Sequence, residues 1–535
     1  MGSDLRGSPA PALVARSVCH LLRDRAARTP DWEFLRFEGQ RVSFGEAERS
    51  SARMAGALAG LGLAREDRVA IMLPNGFLFP LAWLAVARLG AVIVPCNTAY
   101  QESDLSYILQ DSGARLIITD PERAGLVRRV QPSCPALERV VVSGGAGVPD
   151  RCLSFDALVA AASADGPLAD LRPSDLVTLQ YTSGTTGFPK GCMLTHEYWL
   201  RLGGNAAAEA GIRDGGGDVN LVMTPWFYMD ATWNMVTCLI AGIPLVLLSR
   251  FSASNFWRSV HDNDVTFFYC LGTIPLVLLK QPEDAELEAG HRVRAVICSA
   301  IPPELHAAIE ARFGCLWREA YSTTETGPVS LLVPLAEAGS VGTGAMGRPA
   351  PGCEARVVDP SGAELGVGRV GELVMRGPGM MLGYWNNAEA TASWRRDGWA
   401  RTGDLVFRDD GGYYHMVGRL KEMIRRGGEN ISAAEVEAVL CQHPAVRMAA
   451  CVPVPDEIRG EEVKAFLQLQ PGETRDSAPP DAVLAFCRAK LAAFKVPRFI
   501  SYLDEFPLTP SQRIEKHRLS REREGAYDAV TRTWS

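Results

Sequence analysis

The chain has 535 residues, of which 47% are hydrophobic and 22% charged, and its formal net charge is −7. One hydrophobic core does not support this length, so two or more domains are expected. The balance is ordinary for a globular enzyme and gives no electrostatic basis for binding nucleic acid. The 13 cysteines form no CxxC pair and the first residues carry no signal-peptide pattern, which predicts reduced thiols in a cytoplasmic protein.

Short apolar runs alternate with helical segments over the first two thirds of the chain. Near-continuous apolar runs are typical of buried parallel strands, and segments such as residues 77–89 predict the helices between them. The alternation predicts an α/β fold with helices on both sheet faces. The longest uncharged run, residues 231–249, contains Asn, Gly and Pro and predicts buried helix and strand, with no membrane span. The strand-like runs are residues 69–73, 91–94, 116–118 and 140–142.

The pattern changes past residue 350. Runs at 372–375 and 413–416 predict hairpins and a small barrel-like unit. From Lys421 onward, alternating helical and strand patterns predict a compact α+β domain of about a hundred residues. We therefore expect an N-terminal domain over residues 1–420 and a C-terminal domain over 421–535. The predicted elements of the latter are helix 433–442, strands 448–454 and 463–469, helix 481–494 and strand 499–503.

Residues 181–191 read YTSGTTGFPKG, between a predicted strand at 176–180 and a helix that Thr195 can cap. Such a loop offers successive backbone N–H groups, hydroxyls and one ammonium, which suit phosphate oxygens. Its spacing differs from that of the GxxxxGK[ST] loop. The predicted phosphate-binding residues are Thr182, Ser183, Gly184, Thr185, Thr186 and Lys190.

This stretch closely resembles the signature of the adenylate-forming enzymes: acyl-CoA synthetases, aryl-CoA ligases, luciferases and peptide-synthetase adenylation domains. The resemblance implies a large N-terminal domain of layered α/β subdomains and a small mobile C-terminal domain. It also implies ATP or acyl-AMP, Mg²⁺ and CoA as ligands, with a carboxylic acid as substrate. Within the family the chain is most similar to the carnitine/crotonobetaine-CoA ligase-like branch, chiefly at Phe251-Ser252-Ala253-Ser254.

Further motifs of the family follow in order. In the YSTTE stretch, the resemblance implies that Tyr321 stacks on adenine, Thr324 contacts the α-phosphate and Glu325 holds magnesium. Asp404 matches the aspartate that bonds the ribose hydroxyls, and Arg419 the arginine that reaches the ribose or phosphate. The other positions assigned to the nucleotide site are Ser299, Ala300 and Ile301, and Ser322, which replaces the usual glycine, with Thr323.

The acyl pocket is expected around an aromatic cluster formed by Trp226, Phe227, Tyr228 and Trp233. Tyr228 occupies the place of a histidine that gates the acid site in the family, and it keeps a flat gate and a hydroxyl. The aromatic area favours a hydrophobic acid over a small polar one. The alternative is that these rings are plain core.

Residues 418–437 resemble the family's hinge and the loop after it. Lys421 stands at the pivot, where a few backbone dihedrals absorb a domain swing. Gly427 and Gly428 are expected to line the pantetheine tunnel, since only glycine lets the backbone come that close. Ser432 is the predicted N-cap of the helix that follows.

The last motif departs from the family pattern P-x-T-P-x-G-K. Gln512 stands at the glycine, and Arg513 stands at the lysine that bridges the acid's carboxylate and the α-phosphate during adenylation. The planar guanidinium is a poor substitute for a compact ammonium between two oxyanions. Lys516, three residues on, is expected to point another way. The sequence thus predicts impaired adenylation with intact thioester formation, and dependence on a partner adenylating enzyme or a released adenylate.

Four alternatives stay open at this point. The chain can be an ordinary two-step ligase in which Arg513 works in place of lysine, or an adenylation enzyme that loads a carrier protein. A luciferase-like oxidase has no supporting motif. A non-catalytic adenylate-binding protein is disfavoured by the intact Thr324, Glu325, Asp404 and Arg419.

Overall fold

A computed structural model describes residues 11–144, 147–182, 189–271, 273–426, 429–508 and 514–535. Helices occur in most of these ranges. The helices are α1 Val18–Arg28, α2 Phe44–Gly60, α3 Leu78–Arg88, α4 Glu102–Ser112, α5 Pro121–Val130, α6 Phe155–Ala161, α7 His196–Glu209, α8 Met229–Ala241, α9 Phe256–Asp262, α10 Thr273–Leu279, α11 Ala285–Gly290, α12 Pro303–Phe313, α13 Ala388–Trp394, α14 Ala433–Cys441 and α15 Pro480–Arg488.

Strands alternate with these helices and confirm the predicted α/β class. They are β1 Glu33–Phe37, β2 Gln40–Ser43, β3 Arg68–Met72, β4 Val92–Pro95, β5 Leu116–Thr119, β6 Arg139–Val142, β7 Leu153–Ser154, β8 Leu176–Thr182, β9 Lys190–Thr195, β10 Asn220–Val222, β11 Leu245–Leu247, β12 Phe267–Leu271, β13 Ala295–Ser299, β14 Leu316–Tyr321, β15 Leu331–Leu332, β16 Ala345–Pro349, β17 Glu354–Val358, β18 Gly371–Arg376, β19 Arg395–Arg396, β20 Trp399–Arg408, β21 Tyr414–Arg419, β22 Met423–Arg426, β23 Glu429–Ser432, β24 Val446–Asp456, β25 Gly460–Leu469, β26 Phe499–Tyr502, β27 Tyr527–Asp528 and β28 Thr533–Trp534.

The chain divides into two units, Met1–Ala355 with Val374–Arg401, and Arg356–Leu373 with Thr402–Ser535. In the first unit, one sheet has the order β7-β6-β5-β3-β4-β8-β9, parallel except for β8–β9. Successive residues of β3 are fully buried, so both faces of the sheet are covered, as the continuous apolar runs predict. Helices α4 and α5 pack on one face.

The second sheet of this unit runs β16-β15-β14-β13-β12-β10-β11-β1-β2. Its central strands β10 to β14 pair in parallel, while β14–β15 and β15–β16 pair antiparallel. The parallel part places the carboxyl ends of β13 and β14 side by side, and ligands in α/β proteins commonly bind beyond such ends. The core under these strands is rich in aromatic rings, among them Phe268, Phe313 and Trp317.

Two predicted helix caps are confirmed. The Thr195 hydroxyl accepts a hydrogen bond from the Tyr198 backbone N–H, and Ser432 accepts one from Glu435. The uncharged run 231–249 forms α8 and β11, as predicted. Within the described ranges, each helix is too short or too polar to cross a membrane.

The second unit contains the expected α+β domain. Its sheet has the order β23-β22-β25-β26-β27-β28, with β24 paired to β25, and α14 and α15 pack against it. The predicted helix 481–494 was too long, since α15 ends at Arg488. The carbonyls of Phe494 and Val496 instead accept hydrogen bonds from Arg426, at 2.8 and 3.1 Å. The domain boundary at Lys421 stays a prediction.

Candidate functional site

The ends of the glycine-rich loop are fixed by the β8–β9 pair. Thr182 lies opposite Lys190 and Tyr181 opposite Gly191. A Cβ at Gly191 would lie 3.1 Å from the Tyr181 ring and 3.4 Å from the Trp385 Cβ. Glycine therefore allows β9 to pack closely against these two residues at the end of the loop. Ser183, Gly184, Thr185 and Thr186 lie outside the described residues.

Lys190 and Glu325 meet at one aromatic ring. The Lys190 ammonium lies 5.3 Å from the centroid of Tyr384, and the Tyr384 hydroxyl donates to Glu325 Oε1 at 2.8 Å. Burial, together with the charge of Glu325, raises the pKa of Tyr384, so the hydroxyl stays a donor at neutral pH. The predicted phosphate-binding cation and the predicted metal-binding carboxylate are therefore neighbours. No sequence motif pointed to Tyr384.

The turn after β14 is held by its own hydroxyl groups. Tyr321 is buried at the end of the strand. Thr323 and Thr326 each accept a hydrogen bond from the other's backbone N–H, at 3.1 and 3.2 Å. The Ser322 hydroxyl donates to the Gly327 carbonyl at 2.7 Å. The serine that replaces the usual glycine thus closes the turn.

Tyr198 on α7 fixes the middle of this turn from outside. Its hydroxyl donates to the Thr324 carbonyl at 3.0 Å. At Gly327, φ is +50° and a Cβ would lie 2.1 Å from the Tyr198 ring, so only glycine fits. The Thr324 hydroxyl contacts Met229 Sδ at 3.4 Å. This contact connects Thr324 to the first residue of α8, next to Tyr228.

Glu319 holds the turn that contains Ser299, Ala300 and Ile301. Its Oε2 accepts the Ile301 N–H at 2.8 Å and its Oε1 accepts the Ala300 N–H. Ala300 has φ +70°, a strained value for a residue with a side chain. Burial raises the pKa of Glu319 to about 8, against these two hydrogen bonds, which lower it. The sequence signal that could have identified Glu319 is a charged residue in the middle of the buried strand β14.

We expect Glu319→Gln to change the pH dependence of stability. Because the folded pKa is above the usual value of 4.5, the bound proton stabilises the fold at low pH, and this contribution is lost as pH rises through about 8. The gap in melting temperature between the parental protein and Glu319→Gln should therefore shrink from pH 5 to pH 9. A gap that stays constant over this range would contradict the assignment.

The aromatic cluster divides into core and edge. The Trp226 ring is 1% exposed and stacks on Phe79 with centroids 5.7 Å apart. The ring centroids of Phe227 and Tyr228 are 4.7 Å apart. The Phe227 carbonyl accepts a hydrogen bond from Gln180 Nε2 at 2.7 Å. Tyr228 thus stands at the start of α8 with its backbone anchored to β8.

A carboxylate that sequence reasoning missed lies beside Trp233. Asp230 Oδ1 accepts from Trp233 Nε1 at 3.4 Å, and the Trp233 ring meets Tyr269 edge-on at 5.2 Å. The Tyr269 hydroxyl lies 3.1 Å from Ser299 Oγ, which donates to the Ala320 carbonyl at 2.8 Å. A continuous row of side chains thus joins Asp230 to the strand that ends at Tyr321.

Asp404 and Arg419 face each other across β20 and β21 in the second unit. Arg419 Nε lies 3.0 Å from Asp404 Oδ1, and the two side chains are 50% and 1% exposed. The Arg419 guanidinium balances the charge of the buried Asp404 carboxylate and also reaches solvent, which suits recognition of a polar ligand. Gly427, Gly428, Gln512 and Arg513 lie outside the described residues. The backbone of Lys421 belongs to a 3₁₀ turn, Leu420–Glu422.

From the predicted contact of Asp404 with the ribose, we expect Asp404→Ala to weaken AMP binding by about 1–3 kcal/mol, since the variant would leave the ribose hydroxyls without this acceptor. Calorimetric titration with AMP measures this, and Asp410→Ala, at an exposed position of the same unit, is the control. Equal affinity of the Asp404 variant and the parental protein would refute the ribose assignment.

These motifs agree with two matches to known families. Residues 22–385 match the family described as AMP-binding enzyme, and residues 435–513 match the AMP-binding enzyme C-terminal domain. The chain belongs to the AMP-binding enzyme family.

Relatives within the AMP-binding family are CoA ligases. The chain is 34% identical to a sulfoacetate–CoA ligase of Cupriavidus necator, over 95% of this chain and 98% of the relative. It is 33% identical to a feruloyl-CoA synthase of Amycolatopsis sp, over 93% and 97%. It is 31% identical to a mitochondrial medium-chain acyl-CoA ligase of Mus musculus, over 98% and 90%.

Solved structures of AMP-binding enzymes share the fold. An anthranilate CoA ligase in complex with anthranoyl-AMP matches with a TM-score of 0.85 and 26% identity, over 95% of this chain and 96% of that one. An o-succinylbenzoate CoA synthetase of Bacillus subtilis with its acyl-adenylate matches with a TM-score of 0.82 and 27% identity, over 94% and 98%. The protein is thus an acyl-CoA ligase of the adenylate-forming type, a class that uses ATP and CoA.

Proposed function

We propose that this enzyme converts a hydrophobic carboxylic acid to its CoA thioester through acyl-AMP, with a slow adenylation step and an efficient thioester step. The observation that carries the proposal is the convergence of Lys190 and Glu325 on Tyr384, beside the braced Thr324, in a chain whose last motif has Gln512 and Arg513.

In the first step, a carboxylate oxygen of the acid attacks the α-phosphorus of ATP, and pyrophosphate leaves. Thr324 and Lys190 would bind the phosphate oxygens on which negative charge develops. A single protein carboxylate with phosphate oxygens is a common way to hold Mg²⁺, and Glu325, oriented by the Tyr384 hydroxyl, fits that role. When bound, the ion neutralises phosphate charge.

In the second step, the CoA thiol sulfur attacks the acyl carbonyl of the mixed anhydride. The carbon–oxygen bond to AMP breaks, AMP leaves with the bonding electrons, and the thiol proton passes to solvent. Asp404 and Arg419 would keep the nucleotide in place. Gly427 and Gly428 would let pantetheine approach the backbone. This step needs no group from the last motif.

The slow first step follows from the charge at position 513. A guanidinium spreads its charge over a plane, whereas the ammonium it replaces is a compact charge that fits between two oxyanions. Lys516 does not offer a substitute, because its ammonium lies 2.9 Å from Glu422 and 2.8 Å from Glu437. The enzyme would then depend on a partner adenylating enzyme for its acyl-AMP. Both would act in the cytoplasm.

The proposal is tested by restoring the family residues. We expect Gln512→Gly with Arg513→Lys to raise acid-dependent ATP–pyrophosphate exchange by about 10²-fold, the typical contribution of one preorganised donor. Arg518→Lys, an exposed substitution five residues on, should change nothing. Exchange that the double variant leaves unaltered would refute the proposed defect.

The acid itself is constrained by Asp230. This residue stands two positions after the expected gate Tyr228. Its carboxylate accepts a hydrogen bond from Trp233, and it would repel a second anionic group on the substrate. The aromatic rings favour a hydrophobic acid, and this charge favours one with a single carboxylate. The relative named sulfoacetate–CoA ligase acts, by its name, on an acid with a second anionic group, so the two substrates are expected to differ.

We expect Asp230→Asn to raise the kcat/KM for adipate relative to hexanoate by about tenfold, since one repulsive charge is removed at constant shape. The comparison uses two acids of equal length, and Asp262→Asn, at a site 60% exposed, serves as the control. An unchanged ratio would place Asp230 outside the acyl pocket.

A further inference from the structure

A three-membered charge cluster lies in the C-terminal unit, apart from the residues assigned above. The Lys516 ammonium contacts Glu422 Oε2 at 2.9 Å and Glu437 Oε1 at 2.8 Å. The side chains of Lys516 and Glu437 are 21% and 16% exposed. The Glu422 side chain is 40% exposed, so the cluster opens to solvent on one side. One ammonium thus separates two carboxylates, and removing it would leave like charges facing each other.

The cluster joins three segments that are far apart in sequence. Glu422 directly follows Lys421, the expected pivot. Glu437 lies on α14, and its Oε1 also accepts the Cys451 backbone N–H on β24 at 2.5 Å. Lys516 begins the short 3₁₀ turn that follows the last motif. A single side chain therefore ties the residue after the pivot to the body of the unit.

The base of the last motif is fixed beside Lys516. Leu508 pairs with Ile514, and the Glu515 N–H donates to the Pro507 carbonyl at 2.8 Å. Leu508 and Ile514 pack against a cluster that includes Ala450, Val452 and Phe466. The last motif thus begins and ends at anchored points, the second of them two residues from the ammonium.

Electrostatics favours the charged form of the lysine. Burial by itself lowers the pKa of Lys516, but the carboxylates of Glu437 and Glu422 outweigh it and the net shift is upward. Burial raises the pKa of Glu437, and Lys516 opposes that shift. The two carboxylates therefore keep Lys516 in its charged form.

We propose that Lys516 is a positioning residue whose bonds to Glu422 and Glu437 add residue 422 to the rigid body that strand pairing forms from Met423 onward, which confines the hinge to Lys421 and the residues before it. This inference rests on the proposed function. Without these bonds the swing would spread into Glu422 and loosen the start of β22, the strand that leads directly to Gly427 and Gly428. The glycines would then reach the pantetheine path in variable positions, whereas Asp404 and Arg419, which precede the pivot, would bind nucleotide as before.

The test compares Lys516→Met with Lys516→Arg and with Lys495→Met. Lys495 pairs with Glu435 on the same helix α14 at 2.6 Å. Among the described side chains it has no bond to residues 420–426, so it is the matched control. The measurements are kcat and KM for acyl-CoA formation from acyl-AMP and CoA, ATP–pyrophosphate exchange, melting temperature, and hydrogen exchange of residues 420–426.

We expect Lys516→Met to lower kcat about tenfold, a common result of slight misplacement, with unchanged KM for acyl-AMP and faster hydrogen exchange at 420–426. Lys516→Arg should recover most of the kcat and most of the protection from hydrogen exchange. Lys495→Met should match the parental protein in both. Loss of pyrophosphate exchange alone would make Lys516 the substitute for the missing lysine and overturn the inference. A lowered melting temperature with unchanged kcat and hydrogen exchange would also overturn it.

Failure of the proposed function is recognised separately. In that case the parental protein itself makes no acyl-CoA from acyl-AMP. Hydrogen exchange at 420–426 then decides the inference by itself, since it reads the bonds of Lys516 without any turnover. Unchanged hydrogen exchange at residues 420–426 in Lys516→Met would refute the inference.

Discussion

The proposed nucleotide site depends on how one short turn, residues 321–327, is held in place. Tyr198 bonds its middle at the Thr324 carbonyl, Ser322 closes it at Gly327, and the Met381 N–H bonds the Glu325 carbonyl at 3.0 Å. These bonds use backbone groups and leave the Thr324 and Glu325 side chains in defined directions. Donors fixed before the reaction stabilise developing charge without a cost of reorganisation, so the rigidity of this turn underlies the chemistry.

The two half-reactions call on different parts of this framework. In the proposed mechanism, the braced turn and the Lys190–Tyr384–Glu325 contact serve both steps, because each involves the α-phosphate. In that mechanism only adenylation calls on position 513. A change confined to the last motif can therefore slow one step and spare the other, whereas damage to the turn would disable both. That asymmetry is why an altered last motif beside intact nucleotide motifs is informative.

Much of the fold was predictable from local pattern, because continuous apolar runs and cap residues such as Thr195 and Ser432 act over a few positions. What local pattern could not supply was tertiary pairing. Helix α15 ends at Arg488, and the carbonyls of Phe494 and Val496 beyond it accept hydrogen bonds from Arg426, a residue distant in sequence. Within the candidate site, motif order located Thr324 and Glu325, but Tyr384 and Glu319 gained their roles only through contacts with distant segments.

The central claim is that this ligase handles an adenylate better than it makes one. The most direct measurement gives the unmodified protein CoA with either synthetic acyl-AMP or the same acid and ATP, and records acyl-CoA formation. The account predicts rapid thioester formation from acyl-AMP and a rate about a hundredfold lower from acid and ATP, as loss of one oxyanion donor implies. Equal rates from the two starting materials would contradict it and make Arg513 a working replacement for lysine.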